Sequence, residues 1–168
     1  MTTANEQEIV VGVDGSAGSA AAVRWALTEA KASGRTVVAL RAWTFDPLAD
    51  IESAVSRTPS EIASRYQHEL DHVLDEARGD FEGVRVRSGT IDGAPGPALV
   101  RASADAAMLV LGSHGHSRVL RLLVGSVSEY CLRQSRCPVV IVPARSAEER
   151  EPLPDKETAG SYYPGPLL

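Results

Sequence analysis

Lysine is nearly absent from this sequence: Lys31 and Lys156 are the only two in 168 residues. Neutralisation of a phosphate by side chains would therefore fall to arginine, histidine or a metal ion. Cysteine is equally scarce, with Cys131 and Cys137 alone. That excludes a disulfide framework, makes the reducing cytoplasm the natural setting and leaves both thiols to the core. No long apolar run follows the polar opening MTTANEQE, so neither a signal peptide nor a membrane span is expected. Bases are outnumbered, 17 against 22 acids, and the formal charge of −5 gives no global attraction to nucleic acid or anionic lipid. Function has to come from a site.

What is present is the make-up of one globular domain, 43% hydrophobic and 23% charged, able to bury a sizeable core. Ile9 to Val13 is a short β-branched run closed by Asp14, Gly15 and Ser16, which carry turn and helix-cap chemistry. Ala22, Val23, Ala26, Leu27 and Ala30 recur at helical spacing between Ser19 and Ser33, and Gly34 stops that helix. Thr36 to Trp43 is a second strand interrupted by Arg41, followed by an irregular stretch through Arg57. Thr58, Pro59, Ser60 and Glu61 make a capping box with proline at the first helical position, opening a helix whose apolar face runs from Ile62 to Ala77. Val84 to Ile91 alternates with Arg85 and Arg87, as a half-exposed strand near an edge does. A helix over Pro97 to Ala104, a strand over Ala106 to Leu111, a helix over Gly125 to Gln134 and a strand over Val139 to Val142 complete the order.

Strands alternating with helices at this spacing predict a doubly wound α/β fold, a parallel sheet covered on both faces. No internal repeat is visible. Residues 1–7 read as a flexible N-terminus, 8–144 as the domain and 145–168, rich in charge and proline, as a flexible tail.

Ligands of open parallel sheets bind beyond the carboxyl ends of the strands, where the strand order reverses. Two loops qualify. After the first strand, Asp14 puts a carboxylate at the strand end and Ser16 a hydroxyl at a helix start. After the fourth comes GSHGHSRVLRLLVGSVS, from Gly112 to Ser128. Gly112 and Gly115 can take positive φ and let backbone approach a ligand. The N–H groups of Gly125, Ser126 and Val127 lie where the next helix begins, ready for an anion with the helix dipole behind them. Ser126 adds a hydroxyl donor for a terminal phosphate, and Asp14 suits a ribose hydroxyl or a Mg2+ ion. Each has a plainer role open to it: Asp14 in an Asx turn or a cap, Ser126 as a cap.

Other chemistries find no support. The G-x-S-x-G elbow and the G-x-x-x-x-G-K-[ST] loop are absent, and Gly12, Gly15 and Gly18 do not have dinucleotide-fingerprint spacing. His114 and His116 on a glycine loop without nearby cysteine make a poor zinc pattern. Arg118, Arg121, Arg133 and Arg136 oppose only Glu129 between residues 113 and 136, a local +3 that reads as a solvated face or as phosphate attraction.

IVVGVDGS, VLGSHG, VGSVS and CPVVIV, spread over roughly residues 8 to 144, resemble the universal stress proteins, specifically the members that bind ATP. The resemblance implies a five-stranded sheet of order 3-2-1-4-5 of the adenine-nucleotide alpha-hydrolase-like kind. It carries nucleotide contacts onto Val13, Asp14, Ala42, Leu111, Gly112, Gly115, Gly125, Ser126 and Val127, with Ala42 near adenine. The chain departs from the pattern at His116, where relatives often carry arginine or lysine. The resemblance also implies a homodimer built through the apolar terminal strand Val139 to Val142, which pairing would protect from aggregation.

The expected function is that of an ATP-binding stress-response regulator with Mg2+ as companion ion, catalytic at most as a slow ATPase. The alternatives are a slow ATPase or phosphotransferase using Asp14 and Mg2+, a cyclic-nucleotide binder, and a nucleotide-free interaction module using its edge strand and acidic tail.

Overall fold

The computed structural model describes residues 8–44, 58–79, 81–113 and 125–143. The expected flexible segments 1–7 and 145–168 lie outside them. In chain order the elements are β1 (Glu8–Gly12), α1 (Ala17–Ser33), β2 (Thr36–Trp43), α2 (Pro59–Arg78), β3 (Val86–Asp92), α3 (Pro95–Ala102), β4 (Met108–Gly112), α4 (Ser126–Gln134) and β5 (Val139–Val142).

Local chemistry sets the helix ends. Ser16 caps α1 by accepting from the Ser19 N–H at 3.2 Å, so the helix begins at Ala17, two residues before the expected start at Ser19. Gly34 ends that helix at φ 70°, its N–H donating to the Ala30 carbonyl at 2.9 Å. The Thr58–Glu61 capping box is present in both directions. α3 begins at Pro95 rather than Pro97, because a proline at the first position loses no needed N–H and Gly96 leaves room for Tyr130, whose ring a Cβ would meet at 2.7 Å. It ends at Ala102 instead of Ala104. The Ser103 hydroxyl turns back to the Leu99 carbonyl at 2.8 Å. The limits of three strands also move by one or two residues at each end: β1 runs from Glu8 to Gly12, β3 from Val86 to Asp92, and β4 from Met108 to Gly112.

The five strands form one parallel sheet of order β3-β2-β1-β4-β5. β1 is central and buried along its whole length, as a strand covered on both faces must be. Its alternate residues feed two cores. Ile9 and Val11 pack with Val23, Leu27 and Leu70 beneath α1 and α2. Val10 packs with Leu99, Leu109, Leu111 and Cys131 beneath α3 and α4. Both expected core thiols join the second cluster, Cys131 buried and Cys137 half-buried. β3 and β5 are the sheet edges, and β5 is half-buried throughout. Among the described residues no helix is long and apolar enough to cross a membrane.

Because α1, which follows β1, packs on one face of the sheet and α4, which follows β4, packs on the other, the neighbouring carboxyl ends of β1 and β4 are parted by a crevice. That is the predicted switch point.

Candidate functional site

The crevice holds a cavity of about 350 Å3, within the range of about 300–1,000 Å3 common for small-molecule sites. Val13, Asp14, Ala42, Leu111, Gly112, Gly125, Ser126 and Val127, all expected from the sequence, line it. The ninth, Gly115, lies outside the described residues, as do His114, His116, Arg118 and Arg121. Gly12 and Ser128, within the two candidate loops but not among the expected contacts, also line it, and Ser19, Leu40, Pro95 and Leu99 complete the lining without having been anticipated. Leu40 had a usable signal, since it stands two residues before Ala42 and strand periodicity puts both on one face. Pro95 and Leu99 had none, because their approach depends on where α3 docks.

One wall is the β1–α1 turn. The Val13 N–H donates to the Leu40 carbonyl at 2.9 Å, extending the β1–β2 pairing one residue past β1. Asp14 Oδ1 accepts from the Ser16 N–H at 2.9 Å, so the plainer Asx-turn role is real, while the cap itself is Ser16. Gly15 sits at φ 84°, a conformation that other residues rarely adopt.

The opposite wall is the start of α4. The Ser113 N–H donates to the Val142 carbonyl at 2.8 Å, and the Gly125 N–H donates to the Ser113 carbonyl at 2.7 Å. Two residues twelve positions apart in the sequence are thus joined beside the cavity, which Gly112 and Gly125 line. Ser128 Oγ donates to the Gly112 carbonyl at 2.8 Å and fixes the first turn of α4 against β4. Gly125 is the N-cap and supplies no side-chain bond, and Ser126 is the first helical residue rather than a cap. The N–H groups of the first turn have no acceptor within the helix, and the dipole adds positive potential there.

One expectation fails. Gly112 does not use a positive φ. It is a glycine for lack of space: a Cβ would stand 2.6 Å from the carbonyl carbon of Gly18 and 2.7 Å from its oxygen. Arg133 also does not serve the cavity, since it pairs with Glu129 at 2.7 Å on the exposed face of α4.

Leu40, Ala42, Pro95, Leu99 and Leu111 give the lining apolar surface fit for a flat ring, and the amides and hydroxyl of the α4 start give it polar surface. Asp14 is the one ionisable side chain among the described residues that line the cavity. Among the described residues no group of three histidine, cysteine or acidic side chains could hold a metal by itself. A lone carboxylate suits Mg2+, which takes one or two protein carboxylates and draws its remaining ligands from phosphate and water.

The sequence model of the universal stress protein family matches residues 6–143. Two universal stress proteins of Mycobacterium tuberculosis are similar. One is 33% identical over 137 residues, 79% of this chain and 44% of the relative, and the other 31% identical over 141 residues, 80% and 46%. The chain spans about half the length of the curated relatives it matches. Among solved structures, a universal stress protein in complex with cAMP is 28% identical, with TM-score 0.60 over 83% of this chain and 98% of the other. UspA from Lactobacillus plantarum, at 20% identity and TM-score 0.61 over 82% and 98%, shares the fold. With a family match over most of its length and the expected sheet order, the chain belongs to the universal stress protein family.

Proposed function

We propose that residues 8–144 form a domain that binds an adenine nucleotide, ATP with Mg2+, and that occupancy sets its conformation or its choice of protein partner in a cytoplasmic stress response. One observation carries the reading: the glycine-capped start of α4 lines the same cavity as Asp14 and the apolar Leu40, Ala42, Pro95, Leu99 and Leu111. Helix amides suit the phosphates, Asp14 a ribose hydroxyl or Mg2+, and the apolar side chains adenine. A single ionisable group in the described lining suits retention of the nucleotide better than rapid turnover.

The relative solved with cAMP favours a second ligand for the same place, because one phosphate can use the same amides. Calorimetric titration with ATP, with and without Mg2+, and with cAMP as competitor separates these readings. Direct ATP binding that Mg2+ strengthens, that Asp14→Ala makes insensitive to Mg2+ and that Gly115→Val weakens is the expected result. No binding of either nucleotide overturns it.

A second copy of this chain is the proposed partner of β5, an edge strand half-buried along its four residues. Sedimentation at micromolar concentration should give a dimer, and a monomer contradicts that pairing.

A further inference from the structure

Strand alternation puts Arg41 on the face of β2 opposite Leu40 and Ala42, beneath α2 instead of against the cavity. It is the residue that breaks the apolar run of that strand, and its side chain is only 12% exposed. A buried guanidinium is costly unless every part of it has a partner. Nη2 lies 2.7 Å from Glu69 Oε2, and the guanidinium carbon lies 4.7 Å from the centre of the Tyr66 ring. Nη1 comes up under the β1–α1 turn, where a Cβ on Gly15 would stand 3.0 Å from it. The positive φ and the close approach together explain glycine at position 15.

A second hollow, of about 450 Å3, lies on this side and is lined by Gly15, Arg41, His68, Glu69, His72 and also Asp14. Asp14 therefore stands between two spaces, the nucleotide cavity in front and the guanidinium side behind.

We infer that Arg41 is a positioning residue for the nucleotide site: held by Glu69 and Tyr66 of α2, its guanidinium braces the Asp14–Ser16 turn from behind. The role rests on the reading of the front cavity as a nucleotide site that uses Asp14. It needs a planar, delocalised cation, because one flat group must stack on a ring, meet a carboxylate and pack under backbone. Lysine keeps the charge but not that shape. The brace also links α2 to the site, so a load on α2 reaches Asp14 through one side chain.

Arg41→Met, Arg41→Lys and Glu69→Gln test this with two readouts. The first needs no ligand: hydrogen exchange of the Ser16 amide, which donates to Asp14 Oδ1. Arg41→Met should speed it by roughly tenfold relative to the β1 amides, as expected when the turn loses the group packed beneath it. The second is the Mg2+-dependent part of ATP affinity, which should fall roughly five- to tenfold in Arg41→Met and recover in part in Arg41→Lys. Glu69→Gln should move both in the same direction by less, and it decides the matter if Arg41→Met does not fold. Unchanged Ser16 exchange, exchange that rises equally at every amide, or no advantage of lysine over methionine overturns the inference. If the unaltered protein binds no nucleotide, the functional reading fails, and the exchange measurement still decides the role of Arg41.

Discussion

Gly112 at the end of β4 and Gly18 in the first turn of α1 meet backbone to backbone, with no space for a methyl group between them. This contact draws the helix that follows β1 over the end of β4 and so brings Asp14 and the α4 start to opposite sides of one cavity. Gly112→Ala forces rigid backbone apart, not the end of a flexible side chain. It should cost about 2 kcal/mol or more, a fall in Tm of roughly 4–8 °C for a domain of this size. Gly79, at φ −52° with open space around it, is the control, and Gly79→Ala should be neutral or slightly stabilising. Thermal melts of the two variants check the contrast.

Two serines in the first turn of α4 should behave oppositely. Ser128 is buried and its hydroxyl holds the Gly112 carbonyl, so Ser128→Ala should lose about 1 kcal/mol of stability in denaturant unfolding. Ser126 is exposed, lines the cavity and does not cap the helix, so Ser126→Ala should change stability by less than about 0.5 kcal/mol. Its expected effect is a several-fold loss of nucleotide affinity in titration.

Cys131 adds a pH dependence away from the site. Burial, helped by the nearby Cys137, pushes its thiol up from 9.0 to about 11. The folded chain then holds that proton more tightly than the unfolded chain does. The stability this gives is complete below about pH 9 and is lost as pH rises toward about 11. Urea midpoints measured from pH 8 to 11 should fall more steeply for the unaltered protein than for Cys131→Ala, and parallel curves contradict the assignment.

Much of this was legible in the sequence, for reasons that separate by length scale. The Thr58–Glu61 capping box and the Gly34 stop are local hydrogen-bond chemistry, and both stand where they were expected. The central strand was legible because burial on both faces removes alternation from Ile9 to Val11. Element limits shifted by one or two residues where the deciding partner was distant or unanticipated, as Tyr130 is for Gly96. Gly112 lines the cavity, but its backbone contact with Gly18, the reason for a glycine there, has no signature in either segment alone. Arg41 read as an interruption of β2, and nothing nearby in sequence names Glu69 or Tyr66 as its partners.

The central claim is that the α4 start and the β1–α1 turn hold one adenine nucleotide between them. Amide chemical-shift mapping during titration with Mg2+ and ATP addresses it residue by residue. The largest shifts are expected at Asp14, Ala42, Gly112, Ser126 and Val127, with amides at the amino ends of the strands unmoved. No shift at saturating nucleotide, or shifts confined to another part of the surface, would contradict it.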